Sequence, residues 1–209
     1  MKSRQMQEQL IVFTRYPQPG ITKTRLIKAL GEQGAADLQR KLAEHTLAQV
    51  RLLLQIRQAR LVVYFAGGSE TLMRKWLGTG PCYREQGSGS LGQRLERACA
   101  AAFKQGVKRL VIIGTDCPGL QPDHINQALD ALCHKDLVLG PATDGGYYLI
   151  GINRENKALF SRIQWGTETV LADTIRAGKK LGLSIEILGT LSDVDRPEDL
   201  RHFHHYSDI

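Results

Sequence analysis

The sequence predicts an α/β/α sandwich built on a largely parallel sheet. Short apolar runs rich in β-branched residues alternate with stretches of helical periodicity from one end of the chain to the other. The strongest run, Leu110-Val111-Ile112-Ile113-Gly114, is apolar throughout, as a strand covered on both faces must be. Loops bearing glycine, acid or base follow several of the runs, at the strand ends where open α/β sheets bind ligands.

The first strand is Leu10–Thr14, closed by Tyr16-Pro17-Gln18-Pro19-Gly20. A helix follows over about 34–57, with Leu38, Leu42, Leu47, Val50 and Leu54 drifting along one face. Leu61–Ala66 is the second strand, stopped by Gly67-Gly68, and a shorter helix at 71–77 leads to the loop Gly78-Thr79-Gly80-Pro81. Leu91, Leu95, Cys99, Ala102 and Phe103 mark the next helix, which Gly106 stops. After the central strand, Pro122 opens a helix reaching about Cys133. Leu137–Gly140 and Tyr147–Gly151 are strands, and helices near 167–181 and 197–205 flank a last strand at 184–188. Strands separated by helices imply right-handed crossovers. No linker or repeat divides the chain, so residues 1–209 are expected to form one domain.

Composition narrows the function classes. The 209 residues are 42% hydrophobic, which excludes a disordered chain. No apolar run approaches the roughly 20 residues that span a bilayer, and the polar start resembles neither signal peptide nor anchor. A soluble cytoplasmic protein is expected. The 28 Lys and Arg against 21 Asp and Glu give +7, which suits anionic partners. The basic residues are scattered and do not interleave with aromatics, which disfavours nucleic acid and favours small phosphorylated ligands. Cys82, Cys99, Cys117 and Cys133 lie far apart with no CxxC, so neither a disulfide framework nor a zinc site is expected. His202, His204 and His205 read as a solvated helix end.

The strand-end loops carry the chemistry. After the first strand, Pro19-Gly20-Ile21-Thr22-Lys23-Thr24-Arg25 offers a glycine turn and two cations before a helix, which suits phosphate. Thr22 stands where a Walker A loop needs glycine, which disfavours a P-loop NTPase. Both cations are expected to be exposed. After the central strand, Asp116 either binds a divalent cation bridging a diphosphate or caps its turn. Asp144-Gly145-Gly146 either lets a ligand approach the backbone or forms a hairpin turn. Ahead of Pro197, Asp193 and Asp195 supply two more carboxylates, while Glu198 and Asp199 fit helix capping. One cationic loop and three acidic loops at one sheet end converge on metal plus polyphosphate. Neutralising Asp116 is expected to relieve repulsion with Asp144 and Asp193 in the absence of metal.

These segments also carry a resemblance. Phe13-Thr14-Arg15-Tyr16-Pro17-Gln18-Pro19-Gly20-Ile21-Thr22-Lys23-Thr24-Arg25-Leu26 resembles the N-terminal signature of the bacterial family DUF2064, within the nucleotide-diphospho-sugar transferase (GT-A) superfamily. Gln86–Leu95, Gly114–Pro118, Thr143–Gly151, Trp165-Gly166-Thr167 and Asp193–Leu200 agree in order, over nearly the whole chain. The resemblance implies a Rossmann-like α/β/α sandwich with a mostly parallel mixed sheet and a nucleotide at its N-terminal half. It implies Lys23 and Arg25 on the phosphates, with Pro19, Gly20 and Thr24 around them. Gln86 and the loop from Gly87 to Gly92 would lie near the base, with Arg94 on phosphate or ribose. Asp116 would be the principal Mg2+ or Mn2+ ligand, with Asp193 or Asp195 as a second. Asp144 would face the acceptor as base or anchor, beside Gly145, Gly146, Tyr147 and Trp165. The implied activity is metal-dependent transfer from a nucleotide donor, foremost of a glycosyl group from a nucleotide sugar to a small acceptor. The alternatives are nucleotidyl transfer from an NTP to a phosphorylated metabolite, and non-catalytic binding of nucleotide or nucleic acid.

Overall fold

A computed structural model describes residues 6–203. Seven strands form one sheet in the order β3-β2-β1-β4-β6-β5-β7. They are β1 (Glu8–Arg15), β2 (Arg60–Ala66), β3 (Cys82–Glu85), β4 (Arg109–Ile113), β5 (Leu137–Pro141), β6 (Tyr147–Ile152) and β7 (Ile185–Ile187). Only β6 runs against the others, pairing antiparallel with both β4 and β5. The sheet is therefore mostly parallel and mixed, as expected.

Helices cover both faces. Leu10, Val12, Val63, Phe65, Val111 and Ile113 face one side and pack on α1 (Ile27–Ile56), α2 (Glu70–Leu77) and α4 (Pro122–Ala131). The alternate residues Ile11, Val62, Tyr64, Leu110 and Ile112 pack on α3 (Leu91–Lys104) and α5 (Val170–Lys180). Period-2 alternation thus feeds two separate apolar layers, and this burial drives the fold. A smaller cluster of Leu26, Ala35, Leu38, Leu42 and Val194 ties the loop after β1 and the segment after β7 to α1.

The structure corrects the sequence reading in two places. β3 was not expected: Cys82-Tyr83-Arg84-Glu85 lies at the sheet edge and buries only Tyr83 fully, so it carries no apolar run. α1 begins earlier than the periodicity suggests, with a break at Gly31, whose φ of 72° and ψ of 169° are not helical. β5 and β6 form a hairpin with Asp144-Gly145 in its turn, one of the two readings the sequence offers. The final helix opens with a 3-10 turn at Pro197–Asp199 and continues as α6 (Leu200–Phe203) to the end of the described residues. His204, His205 and the side chain of His202 lie outside the described residues. Among the described residues no helix is long and apolar enough to cross a membrane.

At the end of the sheet opposite to the strand-end loops, Glu8 is buried against Arg57 and Arg109 at 2.7 and 2.8 Å. Burial opposes its charge, but hydrogen bonds from both guanidiniums more than offset this and hold its carboxyl below the usual range.

Candidate active site

The loop after β1 is held by its own backbone and by Thr22. That residue is fully buried, and its hydroxyl donates to the Gln18 carbonyl at 2.9 Å. The position that a Walker A loop gives to glycine is thus a threonine fastening the turn. Lys23 follows in the left-handed region, φ 49° and ψ 44°, which a non-glycine residue adopts only where its surroundings compel it. Its side chain is 3% exposed, and its ammonium donates to Asp116 and, at 2.6 Å, to the Val194 carbonyl. Lys23 is therefore not the exposed loop cation that the sequence suggests, whereas Arg25 is, pairing with Asp195 from a 58% exposed side chain. Pro19 and Thr24 are exposed and Gly20 is half-buried along the same loop.

Asp116 ends the loop of β4 with its carboxylate half in solvent. Its carbonyl accepts from Val194 N at 2.9 Å, which brings the segment carrying Asp193 and Asp195 alongside. Asp193 is buried and accepts from the Thr143 hydroxyl at 3.1 Å. Burial, then the Asp144 carboxylate, push its pKa upward. Asp199 behaves as the capping acid that the sequence suggests, accepting from Asp195 N at 3.1 Å and Arg196 N at 2.7 Å.

Cys117 marks the convergence point. Burial raises its thiol well above the ordinary value, and the carboxylates of Asp116, Asp193 and Asp144 push the same way while Lys23 opposes them. The contacts Lys23–Asp116, Val194 N to the Asp116 carbonyl and Thr143 to Asp193 bring these strand-end segments together.

The hairpin tip is fixed by geometry that only glycine permits. Gly145 has φ 87°, and a Cβ there would lie 2.1 Å from the Glu168 carbonyl oxygen. Its own carbonyl accepts from Leu171 N at 2.9 Å, docking the tip on the first turn of α5. Asp144 is exposed, with Oδ1 accepting from Gly146 N at 2.8 Å. Tyr147 turns its hydroxyl inward: the oxygen is buried, and burial raises its pKa, with Thr174 and Cys99 as its neighbours. Trp165 meets Tyr147 edge-on at 6.4 Å between ring centroids. It also lies over Gly92, where a Cβ would sit 2.4 Å from its Nε1. Trp165 is thus an anchor between α3 and β6, and Gly92 is glycine because the indole needs the space.

Gln86 follows β3 and is buried. Its amide nitrogen donates to the carbonyls of Thr14 at 2.9 Å and Tyr64 at 3.1 Å, and its amide oxygen accepts from Arg94 at 3.0 Å. All its polar capacity along these bonds goes into binding β1, β2 and α3 together at the site. Arg97 donates to the carbonyls of Gln86, at 3.0 Å, and Ser88, around which Gly87 bends with φ 74°. The sequence reading missed Arg15 and Arg97. Arg15 is the last residue of β1 and stands in the signature segment itself, so its place directly at a strand end was the available signal.

A divalent cation can be tested against this donor set. Among the described residues no three His, Cys, Asp or Glu side chains group closely enough to cage an ion. The segments carrying Asp116 and Asp193 nevertheless lie side by side, joined by Val194 N and the Asp116 carbonyl, with one side chain half-exposed and the other buried. Mg2+ is commonly held by one or two carboxylates plus waters and substrate phosphates, so the pair fits such an ion and does not fit a fully protein-bound one.

The profile of a family described as an uncharacterized protein conserved in bacteria (DUF2064) matches residues 46–167. The chain belongs to DUF2064. A solved relative from Desulfovibrio desulfuricans, described as a "putative nucleotide-diphospho-sugar transferase", is 31% identical. The match covers 97% of this DUF2064 chain and 88% of that protein, with a TM-score of 0.88. Two more distant structures share the fold. The 4-diphosphocytidyl-2C-methyl-D-erythritol synthase of Anaerococcus prevotii is 11% identical at TM-score 0.63, over 97% of this chain and 99% of that one. The glucosyl-3-phosphoglycerate synthase of Mycobacterium tuberculosis, solved with Mn2+, UDP and phosphoglyceric acid, is 14% identical at TM-score 0.56, over 93% and 74%. No functionally curated protein matches the DUF2064 chain.

Proposed function

We propose that this chain is a single-domain, metal-dependent transferase that takes a nucleotide-activated donor at the carboxyl ends of β1 and β4. In its foremost form it moves a glycosyl group from a nucleotide sugar to a small acceptor. The joining of the strand-end segments that carry Lys23, Asp116, Asp193 and Asp144 carries this reading. The fold it shares with transferases that use nucleotide donors supports it.

Asp116 and Asp193 would hold Mg2+ or Mn2+ together with the donor phosphates, with Asp195 adjoining. Such an ion supplies electrostatic stabilisation of the leaving diphosphate. Lys23 and Arg25 add positive charge at the same phosphates, already positioned by the buried turn at Thr22. Asp144 stands exposed on a hairpin clamped by α5 and can accept the proton of an acceptor hydroxyl. Gly146 and the anchored Trp165 and Tyr147 would form the wall beside it. Gln86 and Gly92 would serve as fixtures of the nucleotide side, and Arg94 as its cation.

Nucleotidyl transfer from an NTP is the second reading, and one observation favours it: Arg15, Arg94 and Arg97 add cations on the nucleotide side that no described carboxylate balances. A thermal-shift series of nucleoside di- and triphosphates and nucleotide sugars, with and without Mn2+, separates the two. A ligand at about 100 times its Kd adds roughly 2.7 kcal/mol, a rise of about 5–10 °C for a chain of this size. Mn2+-dependent stabilisation by a nucleotide sugar and none by triphosphates supports glycosyl transfer, and the reverse supports nucleotidyl transfer. Stabilisation by neither class contradicts both.

A further inference from the structure

We propose that Arg15, Arg94 and Arg97 form a second anion site, built for a phosphate group that the Lys23–Asp116 centre does not hold. The inference rests on the nucleotide-donor reading of this sheet end and names a substrate feature that reading leaves open.

One residue holds two of the guanidiniums and binds the backbone next to the third. Gln86 binds the Thr14 carbonyl next to Arg15, accepts from Arg94 through its side chain, and accepts from Arg97 through its backbone. Every other arginine or lysine named at the two sheet ends has an acid: Lys23 has Asp116, Arg25 has Asp195, and Arg57 and Arg109 share Glu8. Among the described residues no carboxylate pairs with Arg15, Arg94 or Arg97. Arg94 Nε is buried without a hydrogen-bond partner, although an unsatisfied buried donor is costly. Burial, then Arg15 and Arg97, lower the pKa of Arg94, so the cluster strains against its own charge. An arrangement that costs stability and has no acidic partner among the described residues is the form an anion site takes.

Guanidinium groups match phosphate oxygens with paired hydrogen bonds. The cluster lies on the β2 and β3 side of β1, while Lys23 and Asp116 lie on its β4 side. One extended ligand crossing the end of β1 can meet both. The diphosphate of a nucleotide sugar would be matched by Lys23, Arg25 and a divalent cation, leaving the three arginines unmatched. They fit one more phosphate, either the terminal group of a triphosphate or a phosphate carried by a second substrate.

Titration calorimetry with inorganic tripolyphosphate, pyrophosphate and phosphate, and with NDP and NTP of each base, tests the site. Arg15→Gln is the decisive variant, because Arg15 is exposed and its side chain makes no described hydrogen bond, so the fold does not depend on the guanidinium. Arg94→Gln is the second. For a triphosphate, wild type binds tripolyphosphate and NTP about tenfold tighter than pyrophosphate and NDP, and Arg15→Gln removes the difference. For a second substrate, NTP and NDP bind alike, and phosphate binds the NDP-saturated protein but not its Arg15→Gln variant. Unchanged affinities for all these probes in Arg15→Gln overturn the proposal, while a retained Mn2+ response leaves the donor reading standing. A wild-type protein that binds no probe overturns both.

Discussion

Lys23 reaches from the loop after β1 to hold Asp116 at the end of β4. The pair is uneven: the ammonium is almost wholly buried, and the carboxylate is half in solvent. The same ammonium also donates to the Val194 carbonyl, so three strand-end segments meet on one nitrogen. The positive charge beside Asp116 is supplied by Lys23.

An ammonium and a divalent cation compete for that carboxylate. Lys23→Met keeps the buried stem and removes the charge. Mn2+ binding without nucleotide, measured by electron paramagnetic resonance, should strengthen several-fold, while nucleotide affinity should fall by about tenfold. Weaker Mn2+ binding in the variant would show that Lys23 assists the ion instead of standing in for it.

Asp144→Asn should separate acceptor chemistry from donor binding. The amide can still accept from Gly146 N at the hairpin tip, so the fold should persist, but it cannot take a proton. Turnover should fall by about 100-fold or more with donor affinity unchanged, as steady-state kinetics and calorimetry would record. Equal turnover would remove Asp144 from the reaction.

Gly145→Ala should lower stability by roughly 2–4 kcal/mol, because the new methyl meets the Glu168 carbonyl in a backbone conformation that alanine resists. Urea unfolding measures the loss. A neutral substitution would mean that the hairpin tip is not clamped to α5.

Stability in acid should depend on Glu8. Its folded-state pKa is depressed, so its contribution is fully present above the ordinary carboxylate pKa and is lost as pH falls through the depressed value. Glu8→Gln should cost roughly 2–4 kcal/mol at neutral pH and flatten the acid limb of the stability curve, without altering nucleotide affinity. A pH profile parallel to wild type would contradict the role assigned to the Arg57–Glu8–Arg109 network.

The layer architecture was legible because each strand core alternates between two apolar faces, and Leu110–Ile113 is apolar throughout. Edge strand β3 was not, since a strand with one open edge buries little and Cys82-Tyr83-Arg84-Glu85 shows no alternation. The hairpin at Asp144-Gly145 was visible as one of two local possibilities, and pairing with β4 decided it at long range. At the site, residue types at strand ends pointed to Asp116, Asp193 and Lys23. The burial of Lys23 and Asp193 is a tertiary property, however, and that of Lys23 reverses one expectation. Removing the Asp116 charge does not simply relieve acidic repulsion, because it strips a buried ammonium of its counter-ion.

The metal role of Asp116 is tested most directly by Asp116→Asn, comparing nucleotide affinity with and without Mn2+ by calorimetry. Asparagine keeps the shape of the side chain but not the charge that hard divalent cations prefer. The variant should fold, with a stability loss of about 1–2 kcal/mol from the weakened contact with Lys23. Its gain in nucleotide affinity on adding Mn2+ should shrink at least tenfold, about 1.4 kcal/mol. A variant that keeps the full Mn2+ response would contradict metal-assisted transfer at this site.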